Sequence, residues 1–324
     1  MSNPVMKSHF DQFFPIYLRQ GRSPKNFKAG FIDRSGSTVI APLFEDACSF
    51  SEGLASVQIN GKWGAIDPTG KLVIPCVHTL ALHFENGVSE YENGPRRGLL
   101  ASDGSVILRP KYWAISSFKE GLAYVWDGQS YGFINLHGEE VIPPFFENAR
   151  EFSDGVAPVK LNGKWGYIDP NASSVIEPTF DIAMPFSEGL ARVSVGGKWG
   201  FIDRRGEFAI EPRFVSVIDF RAGMASASLE KKEGFGYVNK TGEFVIQPSF
   251  IYPEYFSEGL SAVTPRGNRF RHFIDLHGNK AFGGEYLTSE VFSNGLCRVS
   301  TLKSIAYINH EGNVVWQGPY VDRP

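Results

Sequence analysis

The sequence is poor in cysteine and nearly balanced in charge. Its 324 residues include three cysteines, Cys48, Cys76 and Cys297, which lie far apart. This number and spacing exclude a disulfide framework and the usual zinc motifs. Cys48 and Cys297 have apolar neighbours in the sequence and are expected to be small core fillers. The formal net charge is −3, so we expect no general attraction to nucleic acid or to acidic membranes.

Long apolar segments are also missing. The first residues, MSNPVMKSHFDQFF, lack the apolar core of a signal peptide, and no segment approaches the roughly 18 apolar residues of a spanning helix. We therefore expect a cytoplasmic protein without a membrane partner.

Catalytic signatures are absent as well. The sequence contains no P-loop, no G-x-S-x-G and no G-x-G-x-x-G, and its seven histidines show no specific metal-ligand spacing. An enzyme needs an acid, a base and a nucleophile in one constellation, or a metal cluster. We expect neither catalysis nor a cofactor nor a bound metal.

What the sequence has in quantity is glycine and phenylalanine, and both recur with one period. Phenylalanines that precede a glycine by three residues recur at positions 50, 84, 118, 152, 186, 220, 256 and 292. A second register recurs at steps of 34 or 36 residues, and its positions are Gly30, Gly64, Gly98, Gly132, Gly166, Gly200, Gly236, His272 and Ala306. Two markers with the same period indicate a tandem repeat of about nine units.

One copy of the unit predicts a hairpin. Residues 190–195 alternate and are rich in β-branched side chains, which is typical of a strand. Gly196 and Gly197 form a hairpin-turn signal, and residues 199–202 supply the second strand.

The rest of the unit predicts a turn and a third strand. Residues 203–206 begin with Asp203 and end with Gly206, as a type I turn prefers. Residues 208–210 are the third strand, which we expect to end before Pro212 because proline has no N–H to donate. A connector of about ten residues then leads to the next unit.

Two all-β architectures fit three-stranded antiparallel units. A sheet of three strands cannot bury both faces alone, so the units must stack. Propeller blades usually have four strands and about 40 residues, whereas this unit has about 34. We therefore expect an open β-solenoid, with a closed β-propeller as the alternative. The expected domain organisation is a lead-in over residues 1–13, one repeat domain over residues 14–320 and a tail over residues 321–324.

An aromatic residue usually precedes the repeated glycine. We expect these rings to pack against the neighbouring unit, with the glycine leaving room for that approach. They are Trp63, Tyr131, Trp165, Trp199 and Phe235. A second aromatic row follows the proline position and is expected in the core between units, and it comprises Phe44, Tyr112, Phe146, Phe180, Phe214, Phe250 and Tyr320.

The segments GKWGAID (61–67), GKWGYID (163–169) and GKWGFID (197–203) each follow an F-x-x-G segment. With these motifs the chain resembles the WG-repeat (KWG) family over residues 14–320. The resemblance implies a mainly bacterial, β-rich binding or scaffold protein, to which no general catalytic function is attached.

We expect partner specificity to lie at the positions that depart from the repeat. Both 36-residue steps enlarge the loop between strands one and two, in adjacent units, at residues 230–234 and 265–271. Arg97 and Arg271 replace the aromatic residue in two internal units. The resulting partner-binding candidates are Lys231, Lys232, Arg266, Arg269, Phe270, Arg271, Arg96 and Arg97.

These observations favour a non-enzymatic scaffold for a protein partner. Arginine forks suit carboxylates, so the basic candidates favour a partner with an acidic surface. By family analogy it would belong to a bacterial defence, immunity or signalling complex. The alternative is carbohydrate or polyanion binding through the aromatic and basic repeat edges. That alternative gains if the repeated tryptophans are exposed in a row and loses if they are buried.

Overall fold

The structure is a computed structural model that describes residues 13–19, 27–230, 232–302 and 304–319. The described residues form 32 strands in eight antiparallel sheets and no helix. The predicted lead-in and tail lie almost wholly outside the described residues. Backbone contacts group the chain into two compact units, Met1–Pro144 and Phe145–Pro324. The single domain of residues 14–320 stays a prediction.

Each sheet follows the order of its strands along the chain. The first four sheets comprise β1 (Phe14–Arg19), β2 (Phe27–Ile32) and β3 (Thr38–Phe44); β4 (Asp46–Ala47), β5 (Ala55–Ile59), β6 (Lys62–Ile66) and β7 (Leu72–His78); β8 (Val88–Asn93), β9 (Arg96–Ala101) and β10 (Val106–Tyr112); and β11 (Ala114–Ile115), β12 (Leu122–Trp126), β13 (Tyr131–Asn135) and β14 (Glu140–Phe146).

The later sheets follow the same scheme, with one that is larger. They comprise β15 (Asn148–Ala149), β16 (Ala157–Leu161), β17 (Lys164–Ile168) and β18 (Ser174–Phe180); β19 (Ile182–Ala183), β20 (Ala191–Val195), β21 (Lys198–Ile202) and β22 (Phe208–Phe214); β23 (Ser216–Val217), β24 (Ala225–Ser228), β25 (Phe235–Val238), β26 (Phe244–Pro253), β27 (Ser261–Pro265) and β28 (His272–Ile274); and β29 (Thr288–Ser289), β30 (Cys297–Ser300), β31 (Ser304–Ile308) and β32 (Val314–Pro319).

The expected open β-solenoid is wrong. Five of the eight sheets in the described residues are four-stranded antiparallel meanders, each built from one repeat unit. Such a meander is the blade of a β-propeller, and eight blades lie within the usual range. One sheet is six-stranded because β26 pairs with both β25 and β27 and so joins two units. The chain is therefore an all-β protein of the propeller class.

The fourth strand comes from the connector, which was expected to be irregular. Ile182 and Ala183 form β19, and they pair with Ser194 and Val193 of the following strand. Two residues are too few to show an alternating sequence pattern, so only their backbone pairing reveals the strand. The expectation of three strands per unit is wrong where this pairing occurs.

The third strand is longer than predicted because it passes through the proline. Trp199 of β21 pairs with Phe214, whereas Phe201, two residues on, pairs with Ile210, so β22 carries a bulge. Pro212 lies in this bulge, where no ladder N–H is needed. The bulge carries the chain onward to Phe214 instead of ending the strand.

The glycine after the tryptophan faces that bulge. A Cβ added to Gly200 would lie 2.5 Å from the carbonyl oxygen of Ile210 and 2.7 Å from the nitrogen of Pro212. The close approach is thus made by the third strand of the same sheet, not by the neighbouring unit as predicted. A Cβ would likewise lie within 3.0 Å of a third-strand carbonyl oxygen at Gly30, Gly64, Gly98, Gly132, Gly166 and Gly236.

Aromatic side chains fill the space between successive sheets. The row after the proline is buried as expected at every described position, with Tyr320 outside the described residues; the buried members are Phe44, Tyr112, Phe146, Phe180, Phe214 and Phe250. Trp165 is 5% exposed and shares a cluster with Ile202 of the next sheet. Trp199 is half-buried against a cluster that contains Phe220 and Val238. Trp63, Tyr131 and Phe235 are also half-buried.

The F-S-E-G segment forms a tight turn that is bonded to the same turn of the next unit. Glu188 and Gly189 have φ of 54° and 83°, and Ser187 and Leu190 exchange backbone hydrogen bonds across them. Ser187 Oγ donates to the carbonyl of Phe220 at 2.7 Å. The Glu188 carboxylate accepts the N–H of Gly223 at 3.0 Å. The recurring serine and glutamate therefore hold consecutive turns together.

The boundary between the second and third sheets shows this contact most fully. Ser51 Oγ donates to the carbonyl of Phe84 at 2.9 Å. Both Glu52 carboxylate oxygens accept backbone N–H groups, from Asn86 and from Gly87, each at 2.7 Å. Charge-assisted bonds to backbone N–H groups are among the stronger hydrogen bonds. The carboxylate row that repeats along the sequence is structural at these positions.

Replacing the glycine of one repeat tests the bulge. Gly200→Ala is expected to lower the free energy of unfolding by about 1–3 kcal/mol, because the new methyl group meets backbone atoms that cannot rotate away. Gly283 is the matched control, since a Cβ there meets nothing within 4 Å. Gly283→Ala should stay within about 0.5 kcal/mol of the wild type. Urea unfolding followed by circular dichroism measures both, and equal stabilities would contradict this account of the glycine.

Truncating one turn carboxylate tests the contact between units. Glu52→Ala is expected to lower the free energy of unfolding by about 1–2 kcal/mol, because two backbone N–H groups lose a charged acceptor. Glu211→Ala serves as the control, because Glu211 is exposed and makes no hydrogen bond or ion pair with the described residues. Thermal unfolding compares the two, and a Glu52 variant as stable as the Glu211 variant would refute the structural assignment.

Candidate functional site

The two enlarged loops lie side by side, as their adjacent units predicted. Residues 230–234 join β24 to β25, and residues 265–271 join β27 to β28. The Arg266 N–H donates to the carbonyl of Ser249 in β26 at 3.0 Å. A Cβ on Gly234 would lie 3.3 Å from Cδ of Arg266, so the loops are in contact.

The charges on these loops are only partly paired. Arg266 and Arg269 are exposed, and neither guanidinium makes an ion pair with the described residues. Lys232 pairs with Glu230 at 3.0 Å. Phe270 is half-buried. Lys231, another predicted site residue, lies outside the described residues.

Arg271 is turned away from the loop surface. Its guanidinium contacts Glu254 Oε1 at 3.3 Å and Ser289 Oγ at 3.1 Å, and its side chain is 15% exposed. Its backbone exchanges hydrogen bonds with Tyr286. Arg271 therefore replaces the missing aromatic residue with polar bonds to the segment between β26 and β27 and to β29 of the next unit.

Arg96 and Arg97 belong to the other compact unit and are likewise engaged. Arg97 pairs with Glu92, its neighbour across the hairpin, at 3.1 Å. The Arg96 guanidinium lies 4.4 Å from the ring centre of Trp113 and donates to the carbonyl of Lys111 at 3.0 Å. The sequence predicted Arg96 and Arg97 as site residues, but it did not reveal that both side chains are bound to other residues of the chain.

The lysines of the G-K-W segments do not form a continuous positive edge. Lys164 Nζ lies 2.6 Å from Asp181, and the other Asp181 oxygen accepts the N–H of Gly196 at 2.7 Å. Both contacts hold the pKa of Asp181 below its usual value. Glu45 similarly binds the hairpin N–H of Gly61 at 2.8 Å. Acidic side chains are therefore interspersed with the lysines.

An aromatic surface around Arg96 was not anticipated. We use this name for Arg96, Trp113, Tyr124, Trp126 and Tyr131. Trp113 is 41% exposed, and its ring centre lies 6.4 Å from that of Trp126. Trp126 and Tyr131 stack at 6.2 Å with an interplanar angle of 20°. The sequence has three tryptophans outside the WG position, and two of them lie on this surface. Their closeness in sequence, at positions 113 and 126, is the feature from which the surface could have been predicted.

The described residues offer little for metal or thiol chemistry. Among them no group of three or more His, Cys, Asp or Glu side chains could hold a metal ion. Cys297 is buried, and burial raises the pKa of its thiol to about 12, so it stays protonated at neutral pH. Within the same residues no helix has the length and apolar character needed to cross a membrane.

Solved structures resemble this chain in fold. A crystal structure described as that of the eukaryotic initiation factor has a TM-score of 0.67 and 13% identity, and the match covers 95% of this chain and 96% of that one. KlHsv2 with loop 6CD replaced by a Gly-Ser linker has a TM-score of 0.47 and 10% identity, over 74% of this chain and 96% of that one. At such identity the first likeness supports the propeller fold alone.

Sequence comparisons identify the repeat. No curated protein matches the chain. The family model for the WG containing repeat matches seven segments, at residues 30–63, 63–94, 101–125, 131–165, 165–199, 199–232 and 235–266. These segments cover more than half of the chain and confirm the predicted resemblance. The protein therefore belongs to the WG-repeat family.

Proposed function

We propose that this protein is a non-enzymatic scaffold that binds a protein partner through its two enlarged loops. A β-propeller is typically a scaffold for protein interaction. Loops carried by a rigid framework are the usual place for recognition. The observation that carries the proposal is the pair of exposed arginines, Arg266 and Arg269, on the second enlarged loop, where the repeat itself does not require them.

The chemistry of these loops favours an acidic partner. A guanidinium fork binds carboxylates in two parallel hydrogen bonds, and neither Arg266 nor Arg269 has an acidic partner among the described residues. Lys232, by contrast, already pairs with Glu230. The guanidinium groups of Arg266 and Arg269 are therefore the ones available to bind carboxylates of a partner.

Binding without catalysis fits how the recurring polar residues are used. Ser187 and Glu188 bond to the next turn, and Asp203 accepts the N–H groups of Arg205 and Glu207 in its own turn. These groups are committed to the scaffold. In a bacterium the protein would join a defence, immunity or signalling complex, and this part of the proposal rests on the family resemblance alone.

Affinity capture with charge-reversed loops tests the proposal. The Arg266→Glu/Arg269→Glu variant is expected to recover its specific partner with about tenfold lower enrichment, because two attractive contacts become repulsive. The measurement is capture from the native host followed by quantitative mass spectrometry.

The control changes the same charge elsewhere. Lys62 and Lys198 are exposed and lie on other hairpins, so Lys62→Glu/Lys198→Glu should capture the partner as the wild type does. Equal recovery by all three proteins would exclude the enlarged loops as the binding site. Failure of the wild type to enrich any protein would contradict the scaffold itself.

Carbohydrate binding is a second candidate, now centred on the aromatic surface. The tryptophans of the WG position are buried or half-buried against the core, which disfavours them as sugar platforms. Trp113 is exposed and continues into the Trp126–Tyr131 stack, and exposed aromatic faces are suited to packing on ligands.

A glycan array tests this second candidate. If a glycan binds there, Trp113→Ala should weaken its binding by about tenfold, because the exposed ring face is lost. Phe145→Ala is the control, since Phe145 is an exposed aromatic residue on an outer strand. Equal glycan binding by both variants, or none by the wild type, would reject this candidate.

A further inference from the structure

In two units, one position of the first hairpin strand bridges to the connector that follows. Ser56 Oγ accepts the N–H of Leu82 at 2.7 Å. In a later unit Arg192 holds the equivalent position, and its Nε donates to Asp219 at 2.7 Å while its Nη1 donates to the carbonyl of Val217 at 2.9 Å. These side chains close the gap between a sheet and the next connector.

The third repeat departs from this arrangement. Its residue at the equivalent position is Glu90, whose carboxylate makes no hydrogen bond or ion pair with the described residues. A pocket of about 110 Å³ opens beside it, between the third sheet and the connector that contains Ile115, Ser116 and Ser117. In the third repeat, a carboxylate without a hydrogen bond or ion pair to the described residues thus lines the pocket.

Four of the nine residues that line this pocket are apolar, and the other five are His83, Glu85, Glu90, Ser116 and Ser117. Val88, Leu99, Ile115 and Phe118 supply hydrocarbon walls, and Ser116 adds a hydroxyl. Such a combination of apolar walls with a few placed polar groups is characteristic of small ligand sites.

Charge in the pocket is unbalanced. Glu85 also lines it, but its carboxylate is paired with Lys119 at 2.5 Å. Glu90 therefore contributes a negative charge that makes no ion pair with the described residues. Desolvation beside the pocket walls raises the pKa of the Glu90 carboxyl, and the charge of Arg97 opposes this shift. The residue as a whole remains exposed. A bound cation would relieve that cost.

Size and chemistry together define the ligand. A water-sized group takes about 30 Å³, so the pocket holds only a few heavy atoms. The walls suit a short alkyl chain, and the carboxylate and the hydroxyl suit an ammonium group. We propose that the Glu90 pocket binds an alkylammonium group, supplied either by a small amine or by a lysine side chain of a peptide. The pocket is distinct from the enlarged loops and does not depend on the function proposed for them.

Titration with defined probes tests this site. The probes are n-butylammonium chloride and the blocked peptide acetyl-Gly-Lys-Gly-amide, followed by NMR chemical shifts of the pocket residues. Both are expected to shift Ile115 and Ser116, and Glu90→Gln should weaken binding at least tenfold. Binding of butylammonium alone would identify small amines as the source, and binding of the peptide alone would identify a lysine side chain.

The controls separate charge recognition from packing and from folding. Glu177→Gln alters an exposed carboxylate on an outer strand and should leave binding unchanged. Glu90→Asp keeps the charge and should bind better than Glu90→Gln. Glu90→Gln should unfold at about the same temperature as the wild type, because Glu90 is exposed and makes no hydrogen bond or ion pair with the described residues. No binding by the wild type, or equal binding of n-butanol, would overturn the proposal.

Discussion

Seven of the eight sheets in the described residues depend on the contact between a glycine of the second strand of the repeat unit and the third strand of that unit, which is bulged where it crosses the glycine, as in β22. The bulge brings a carbonyl oxygen to a place where no Cβ fits, as at Gly200 and Ile210. It lets the strand pass through Pro212 and deliver Phe214 to the core. The short strand of the next sheet begins two residues later at Ser216. Because glycine has no Cβ, the third strand can form its bulge here and continue into the next sheet.

Repetition assigns most of the recurring polar residues to structure. The Ser-Glu pair bonds to the next turn, and the aspartate after the second strand closes its own turn. Function is therefore sought where the pattern fails. The failures differ in kind. Arg271 replaces packing with polar bonds. The guanidinium groups of Arg266 and Arg269, on the second enlarged loop, make no ion pair with the described residues, and Glu90 lines a pocket.

Local sequence patterns predicted the hairpins, the turns and the buried aromatic rows, because each depends on neighbours within a few residues. They did not predict β19 or its equivalents, which are held by backbone pairing over two residues. They also predicted that the neighbouring unit makes the close approach at Gly200, whereas the third strand of the same sheet makes it. Among the site residues, the adjacency of the two enlarged loops followed from the period, whereas the partners of Arg96, Arg97 and Arg271 did not.

The sequence by itself determined the repeat, its family and the β-strand content, since period, alternation and turn residues are properties of the linear chain. Only the tertiary structure decided between the solenoid and the propeller, because the strand pairing of the connectors has no local pattern. The tertiary structure also decided which departures carry free chemical groups. A charge such as that of Glu90 or Arg97 looks the same in sequence, and its use depends on a partner many residues away or on the lack of one.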